Sequence, residues 1–212
     1  MSRAFTHAWF FFGDSLTLGV NDCRMPGGWV SRLALLGREA GLYRLPPATF
    51  YNLGARRQNV ADLARRWRQE VDCRQMPGLV PRLAFCAGVV DMASPGGGQP
   101  AALVKTARIL RAMLTEAASL APTLLISPPP VADAEARRRI ESLNEAQAEL
   151  CAAMALPFAN IHATLAASRA YMDDLSDGLH PGPEGCAIMA ETLLSQKVVQ
   201  DFLRTDMEPE VA

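Results

Sequence analysis

Residues 8–16 read Ala-Trp-Phe-Phe-Phe-Gly-Asp-Ser-Leu. Five consecutive apolar residues with no polar alternation predict a strand covered on both faces, and Gly-Asp-Ser ends it abruptly. Comparable apolar runs recur at 49–53, 82–87, 123–126 and 156–159, each separated by enough chain for a helix and two loops. Between the second and third runs, Val60, Leu63, Ala64, Trp67 and Val71 share one helical face behind Asn59, a residue suited to capping a helix start. Leu103, Ala107, Leu110 and Leu114 repeat the pattern after the third run. Ile140, Leu143, Gln147, Leu150 and Met154 do so after the fourth, behind Pro128-Pro129-Pro130 and a candidate cap at Asp133. A last helix is expected over 183–202. Strand and helix in alternation predict a single α/β domain over residues 1–212, a three-layer α/β/α fold with a five-stranded parallel sheet and helices on both faces. Residues 94–98 read as a surface loop and 204–212 as a flexible tail.

The chain has 212 residues, 50% of them hydrophobic, enough for one sizeable core. Lys plus Arg number 21 against 22 Asp plus Glu, a net charge of -1, so no overall field favours nucleic acid or an anionic membrane, and a small-molecule partner is expected. Cys23, Cys73, Cys86, Cys151 and Cys186 are odd in number, widely spaced and without a Cys-x-x-Cys pair, which reads as free thiols in a reducing compartment. The run at 8–12 is too short for a secretory signal, and no stretch reaches the roughly 18 apolar residues of a membrane span. A cytoplasmic protein without a membrane span is the expectation.

In open parallel sheets, ligands bind at the carboxyl ends of the strands. Gly13-Asp14-Ser15-Leu16 places a hydroxyl there, where a helix begins and nearby amides can face developing negative charge. The same triplet also suits an ordinary turn. It is not the Gly-x-Ser-x-Gly elbow of α/β-hydrolases, because position 17 is Thr. Near the other end, Asp177-Gly178-Leu179-His180-Pro181 sets an acid three residues before an imidazole in a loop forced by Gly and Pro. Such a loop can turn the carboxylate towards Nδ1 and leave Nε2 free to take a serine proton; it can equally be a solvated loop before a helix. His7 and His162 lack such a partner and read as structural. Asp177 and His180 with a third ligand would make a metal site, but no ligand-spaced cluster supplies one.

The second run ends in Asn52-Leu53-Gly54 and the third in Gly88-Val89-Val90-Asp91. With these, the chain resembles the GDSL/SGNH hydrolase family, the lipases and esterases that include lysophospholipase-L1-like enzymes. Its first block matches Gly13-Asp14-Ser15-Leu16, its second Gly54 and its last Asp177 to His180, in the right order over nearly the whole chain. The resemblance implies a flavodoxin-like three-layer fold and an acylhydrolase that cleaves esters or thioesters through an acyl-serine without metal or organic cofactor. It implies Ser15 as nucleophile, His180 as base and Asp177 as the residue orienting it, with the backbone N–H groups of Ser15 and Gly54 as oxyanion donors. The third block departs from the pattern. Val90 stands where the family has an Asn whose amide is the third donor, although Gly88 and Asp91 are kept. Gly19-Val20-Asn21-Asp22 looks similar but lies too early in the chain to be that block.

Loss of one oxyanion donor typically costs about 10²- to 10³-fold in turnover, so a slowed hydrolase is expected. Arg56, Arg57 and Gln58, after Gly54, are candidates to replace the missing amide. Asp14, Val90, Met92 and Pro129 are candidate substrate-binding residues, with Tyr171 near the catalytic loop a further one. Asp91 reads as an acceptor for loop amides, Arg65-Arg66-Arg68 and Arg137-Arg138-Arg139 as solvated helix faces, and Trp29 and Trp67 as core or pocket-wall aromatics. The alternative is a catalytically impaired protein of the same fold that binds an acyl or glycan ligand. A flavodoxin or receiver domain shares the expected sheet, but the chain lacks a hydroxyl-rich phosphate loop after its first strand. The acyl group, the leaving group and the oligomeric state are not legible in the sequence.

Overall fold

The computed structural model describes residues 6–44, 48–94 and 98–205; most of the loop expected at 94–98 and of the tail expected at 204–212 lies outside the described residues. In chain order the elements are β1 (Thr6–Gly13), α1 (Ser15–Leu18), α2 (Gly28–Glu39), β2 (Thr49–Gly54), α3 (Val60–Asp72), β3 (Leu79–Cys86) and α4 (Val89–Ala93). There follow α5 (Leu103–Leu120), β4 (Thr123–Ile126), α6 (Ala134–Met154), β5 (Phe158–Ala159), α7 (His162–Ala167), α8 (Arg169–Asp173), α9 (Pro183–Leu194) and α10 (Lys197–Leu203). The described strands form one sheet in the order β2-β1-β3-β4-β5, every neighbouring pair parallel.

The two faces of this sheet explain why its strands are apolar throughout. Ala8, Phe10 and Phe12 of β1 join Leu83, Phe85 and Leu125 in a core covered by α3, α4, α5 and α6. The residues between them, Trp9 and Phe11, join Ala84, Cys86, Leu124 and Ile126 in a second core under α2, α8, α9 and α10. Residues 9–12 are each at most 1% exposed. A fully buried side chain of this size contributes about 1.5–3 kcal/mol, so the strand carrying Ser15 at its end is among the most firmly anchored in the molecule. Stacking adds to this: Phe12 lies 5.1 Å from Phe85 and Trp9 4.7 Å from Phe50, ring centre to ring centre, in near-parallel pairs.

Asn59 caps α3 in a reciprocal box with Asp62, and Asp133 caps α6 through Ala136 N–H. Besides the short helices α4, α7 and α8, which the periodicity does not announce, three elements differ from the sequence expectation. β3 begins at Leu79 and so contains Pro81, which a central strand should not tolerate. The reason is that β4 joins β3 only from Leu83 onward, so Pro81 lies on a stretch paired with β1 alone. The single helix expected over 183–202 is broken at Ser195 and Gln196. Gln196 is extended and sends its amide to Asn160 O at 2.9 Å, and α10 turns back to bury Val199, Phe202 and Leu203. Helix α2, bounded by Gly27 and Gly28 without a side-chain cap, carries too weak a local start signal to be foreseen.

Candidate active site

At the carboxyl edge of the sheet, Gly13 of β1 lies level with Gly54 of β2 and Cys86 of β3. Arg66 holds the first two ends together: its guanidinium donates to Leu53 O at 2.7 Å and Gly13 O at 3.3 Å, above the Phe12 ring. Arg66 is therefore a clamp, not part of a solvated face: it gives a side-chain donor to Leu53 O and a second donor to Gly13 O, which already accepts from Ala55 N–H at 3.1 Å. Arg139 likewise reaches Met92 O at 2.7 Å, and Arg137 reaches Val131 O at 3.1 Å. From this edge Asp14 caps α1, its Oδ1 accepting from Leu16 N–H at 2.9 Å, and Ser15 opens the helix.

Ser15 Oγ lies 2.7 Å from His180 Nε2, and His180 Nδ1 lies 2.7 Å from Asp177 Oδ2. The structure thus brings together Ser15, His180 and Asp177. The loop carrying the last two is tightly folded. Asp177 Oδ1 accepts from Leu179 N–H at 2.9 Å and His180 N–H at 2.7 Å, and Gly178, at φ 79°, passes its carbonyl to Ala132 N–H. Burial pushes the Asp177 carboxyl up, but the bonds from the His180 backbone, the His180 ring and the Leu179 backbone outweigh it and hold the group well below the usual carboxylate range. The anion is thereby kept against Nδ1, the tautomer that leaves Nε2 to accept the serine proton.

Asp14 behaves oppositely. It is 2% exposed, its Oδ2 has no hydrogen-bond partner, and burial raises its pKa to about 6 against a partial opposition from the Leu16 N–H. The folded protein therefore binds a proton that the unfolded chain releases near pH 4, so Asp14's contribution is complete at acid pH and is lost as pH rises through about 6. Unfolding free energy measured in denaturant from pH 4 to 8 should fall by about 3 kcal/mol more in the wild type than in Asp14→Asn. Parallel curves would place the charge cost elsewhere.

Several expected site residues are buried. Met92, 2% exposed, packs in the core and offers a ligand almost no surface, as does the buried Asp14. Pro129 is buried, and Tyr171 is 0% exposed with its hydroxyl towards Pro130 O. Val90 is half-buried on the first turn of α4. Asp91 accepts from Val60 N–H at 2.9 Å and so ties α4 to the start of α3. Gly54 N–H is already engaged: it donates to Asn52 Oδ1 at 3.0 Å, while Asn52 Nδ2 donates to Thr17 O and Gly27 O. Gly54 is needed for a different reason, since a Cβ there would come within 2.3 Å of Leu18 N. Gln58 is tied to Arg66, whereas Arg56 and Arg57 are exposed, Arg57 in the left-handed region at φ 61°. His162 is buried, its Nδ1 at 2.9 Å from Pro128 O, and His7 lies in the amino-terminal half of β1, away from Ser15.

Sequence reasoning missed Asn52 and Asn21. Asn21 Nδ2 reaches Asp177 Oδ2 at 3.3 Å, and the signal that could have found it was the Gly-Val-Asn-Asp set aside as a misplaced block. Among the described residues no group of three or more His, Cys, Asp or Glu is placed to hold a metal, and no helix is long and apolar enough to cross a membrane.

The fold is shared with solved structures. The acetylxylan esterase Axe2 of Geobacillus stearothermophilus superposes with TM-score 0.72 at 18% identity over 91% of this chain and 93% of its own. A catalytic mutant of it gives 0.73 at 18% identity over 94% and 97%. The lipase/acylhydrolase from Enterococcus faecalis gives 0.71 at 20% identity over 93% and 95%. No curated protein matches by sequence. The model of the GDSL-like lipase/acylhydrolase family matches residues 11–188, most of the chain and all but its two ends. This chain, with its hydroxyl, imidazole and carboxylate in line at the carboxyl edge of the sheet, therefore belongs to the GDSL-like lipase/acylhydrolase family of ester-hydrolysing serine hydrolases.

Proposed function

We propose that the protein cleaves carboxylic esters or thioesters of a small acyl substrate through an acyl-Ser15 intermediate. The observation that carries this reading is the unbroken relay from Ser15 Oγ through His180 to Asp177, with both hydrogen bonds at 2.7 Å. His180 Nε2 takes the serine proton as Oγ attacks the acyl carbon, and Asp177 stabilises the imidazolium that forms. The leaving alcohol or thiol then receives that proton. Water, deprotonated by the same nitrogen, attacks the acyl carbon, and the imidazolium returns that proton to Ser15 Oγ as the ester bond breaks and the acid is released. Ser15 N–H, the first amide of α1, has no intrahelical acceptor and is the donor we assign to the oxyanion. Gly54 N–H would serve only by leaving Asn52 Oδ1.

Axe2, the fold neighbour, is an acetylxylan esterase, and its catalytic mutants replace a serine, an aspartate and a histidine. That parallel makes an acetyl ester the first substrate to try. A second reading, a site that binds an acyl or glycan ligand without turning it over, is favoured by Val90 and by the occupied Gly54 N–H. A fluorophosphonate probe separates the two, because it reacts only with an activated hydroxyl. Labelling of the wild type at Ser15, abolished in Ser15→Ala and in His180→Ala, is expected. An unlabelled wild type would leave the binding reading.

A further inference from the structure

We propose that Asn21 is a positioning residue for the triad carboxylate, holding Asp177 against His180 from the nucleophile's side of the site. The inference deepens the hydrolase reading and rests on it. Asp177 is the most exposed of the three groups, its side chain 45% accessible against 14% for His180, and Ser15 is 6% exposed. An exposed carboxylate at a loop can rotate towards water unless its oxygens are held. Oδ1 is held by two amides of its own loop. Oδ2, the oxygen that faces the imidazole, has one further partner, Asn21 Nδ2 at 3.3 Å, and the same amide group lies 3.5 Å from His180 O. A carboxylate and a carbonyl are both acceptors, so only the NH₂ end of the Asn21 amide suits this place.

The segment that delivers Asn21 is fixed at both ends. Its first anchor is Gly19, at φ 80°, which closes α1 through bonds to Ser15 O and Leu16 O and packs so closely on Gly28 that a Cβ would come within 2.4 Å of Gly28 N. The second is Asp22, buried, whose carboxylate accepts from Arg24 N–H, Met25 N–H and the Arg32 guanidinium at 2.7 Å. Residues 15–21 thus carry the nucleophile at one end and a brace for the triad acid at the other. Without that brace, Oδ2 keeps its bond to Nδ1 and Oδ1 its two loop amides, but one of the contacts that limit rotation of the carboxylate is gone, so the productive imidazole orientation is populated less.

The test compares wild type, Ser15→Ala, Asn21→Ala and the isosteric Asn21→Asp on p-nitrophenyl acetate. Each is also followed by proton NMR at the downfield position of an imidazole N–H bound to a carboxylate. Asn21→Ala should lower kcat about tenfold with KM nearly unchanged, and its His180 Nδ1–H resonance should broaden or be lost. Asn21→Asp sets a carboxylate against a carboxylate and should be at least as impaired; it serves if the alanine variant does not fold. Wild-type kcat in both variants would overturn the proposal. So would a loss of activity with the resonance unchanged, which would make Asn21 merely structural. If the wild type shows no turnover that Ser15→Ala removes, the hydrolase reading falls, and the resonance alone then decides whether Asn21 holds Asp177.

Discussion

Ser15→Ala should bring hydrolysis of p-nitrophenyl acetate down by about 10⁴-fold or more, to the residual rate that binding and the remaining oxyanion donor support, with the protein as stable as before. The size of the effect follows from what the hydroxyl does: without it no acyl-enzyme forms, and the imidazole can only assist direct attack by water. Removing His180 should cost a similar factor, because the members of such a relay act as a unit and their losses do not add. The measurement is steady-state release of p-nitrophenol, with thermal unfolding of each variant as control. A Ser15→Ala protein that keeps even a tenth of wild-type turnover would mean that another group attacks the ester.

Val90→Asn should act in the other direction, raising kcat by about 10²- to 10³-fold. A donor aimed at the developing oxyanion lowers the barrier more than it stabilises the neutral ester, whereas valine offers that oxygen nothing. The rest of the environment sharpens the expectation: Gly54 N–H is occupied by Asn52, so one donor that could have compensated is already paired, while Gln58, whose Oε1 accepts from Arg66, keeps its Nε2 as a donor beside Arg56 and Arg57. Val90 is half-buried on the first turn of α4, where an asparagine of similar size can be accommodated at small cost in stability. An unchanged kcat would show that another donor already serves the oxyanion, with the exposed Arg56 and Arg57 next to be replaced.

Local chemistry accounts for what could be read in advance. An unbroken apolar run such as residues 8–12 implies cover on both faces, Asn59 and Asp133 announce helix starts through their side chains, and a parallel sheet directs attention to its carboxyl edge, where Ser15 stands. The acid three residues before His180 was legible for the same reason, since a short loop suffices to join them. Other features depended on partners remote in sequence, to which periodicity and propensity are blind. Whether His180 meets Ser15, 165 residues away, was such a case. So was the break between α9 and α10, imposed by Asn160 and the core beneath α10.

The amino-acid sequence by itself determined the alternation of strands and helices, the two-sided burial of the sheet and the residue types available at its edge, because each follows from side chains close together along the chain. Only the tertiary structure decided which groups are free to act. It paired Gly54 N–H with Asn52, turned Arg66 from a surface charge into a clamp, buried Met92 and brought Asn21 to Asp177. The physical reason is that a hydrogen bond satisfies a donor irrespective of sequence distance, so the function left to an amide or a carboxylate depends on which neighbour the fold has already given it.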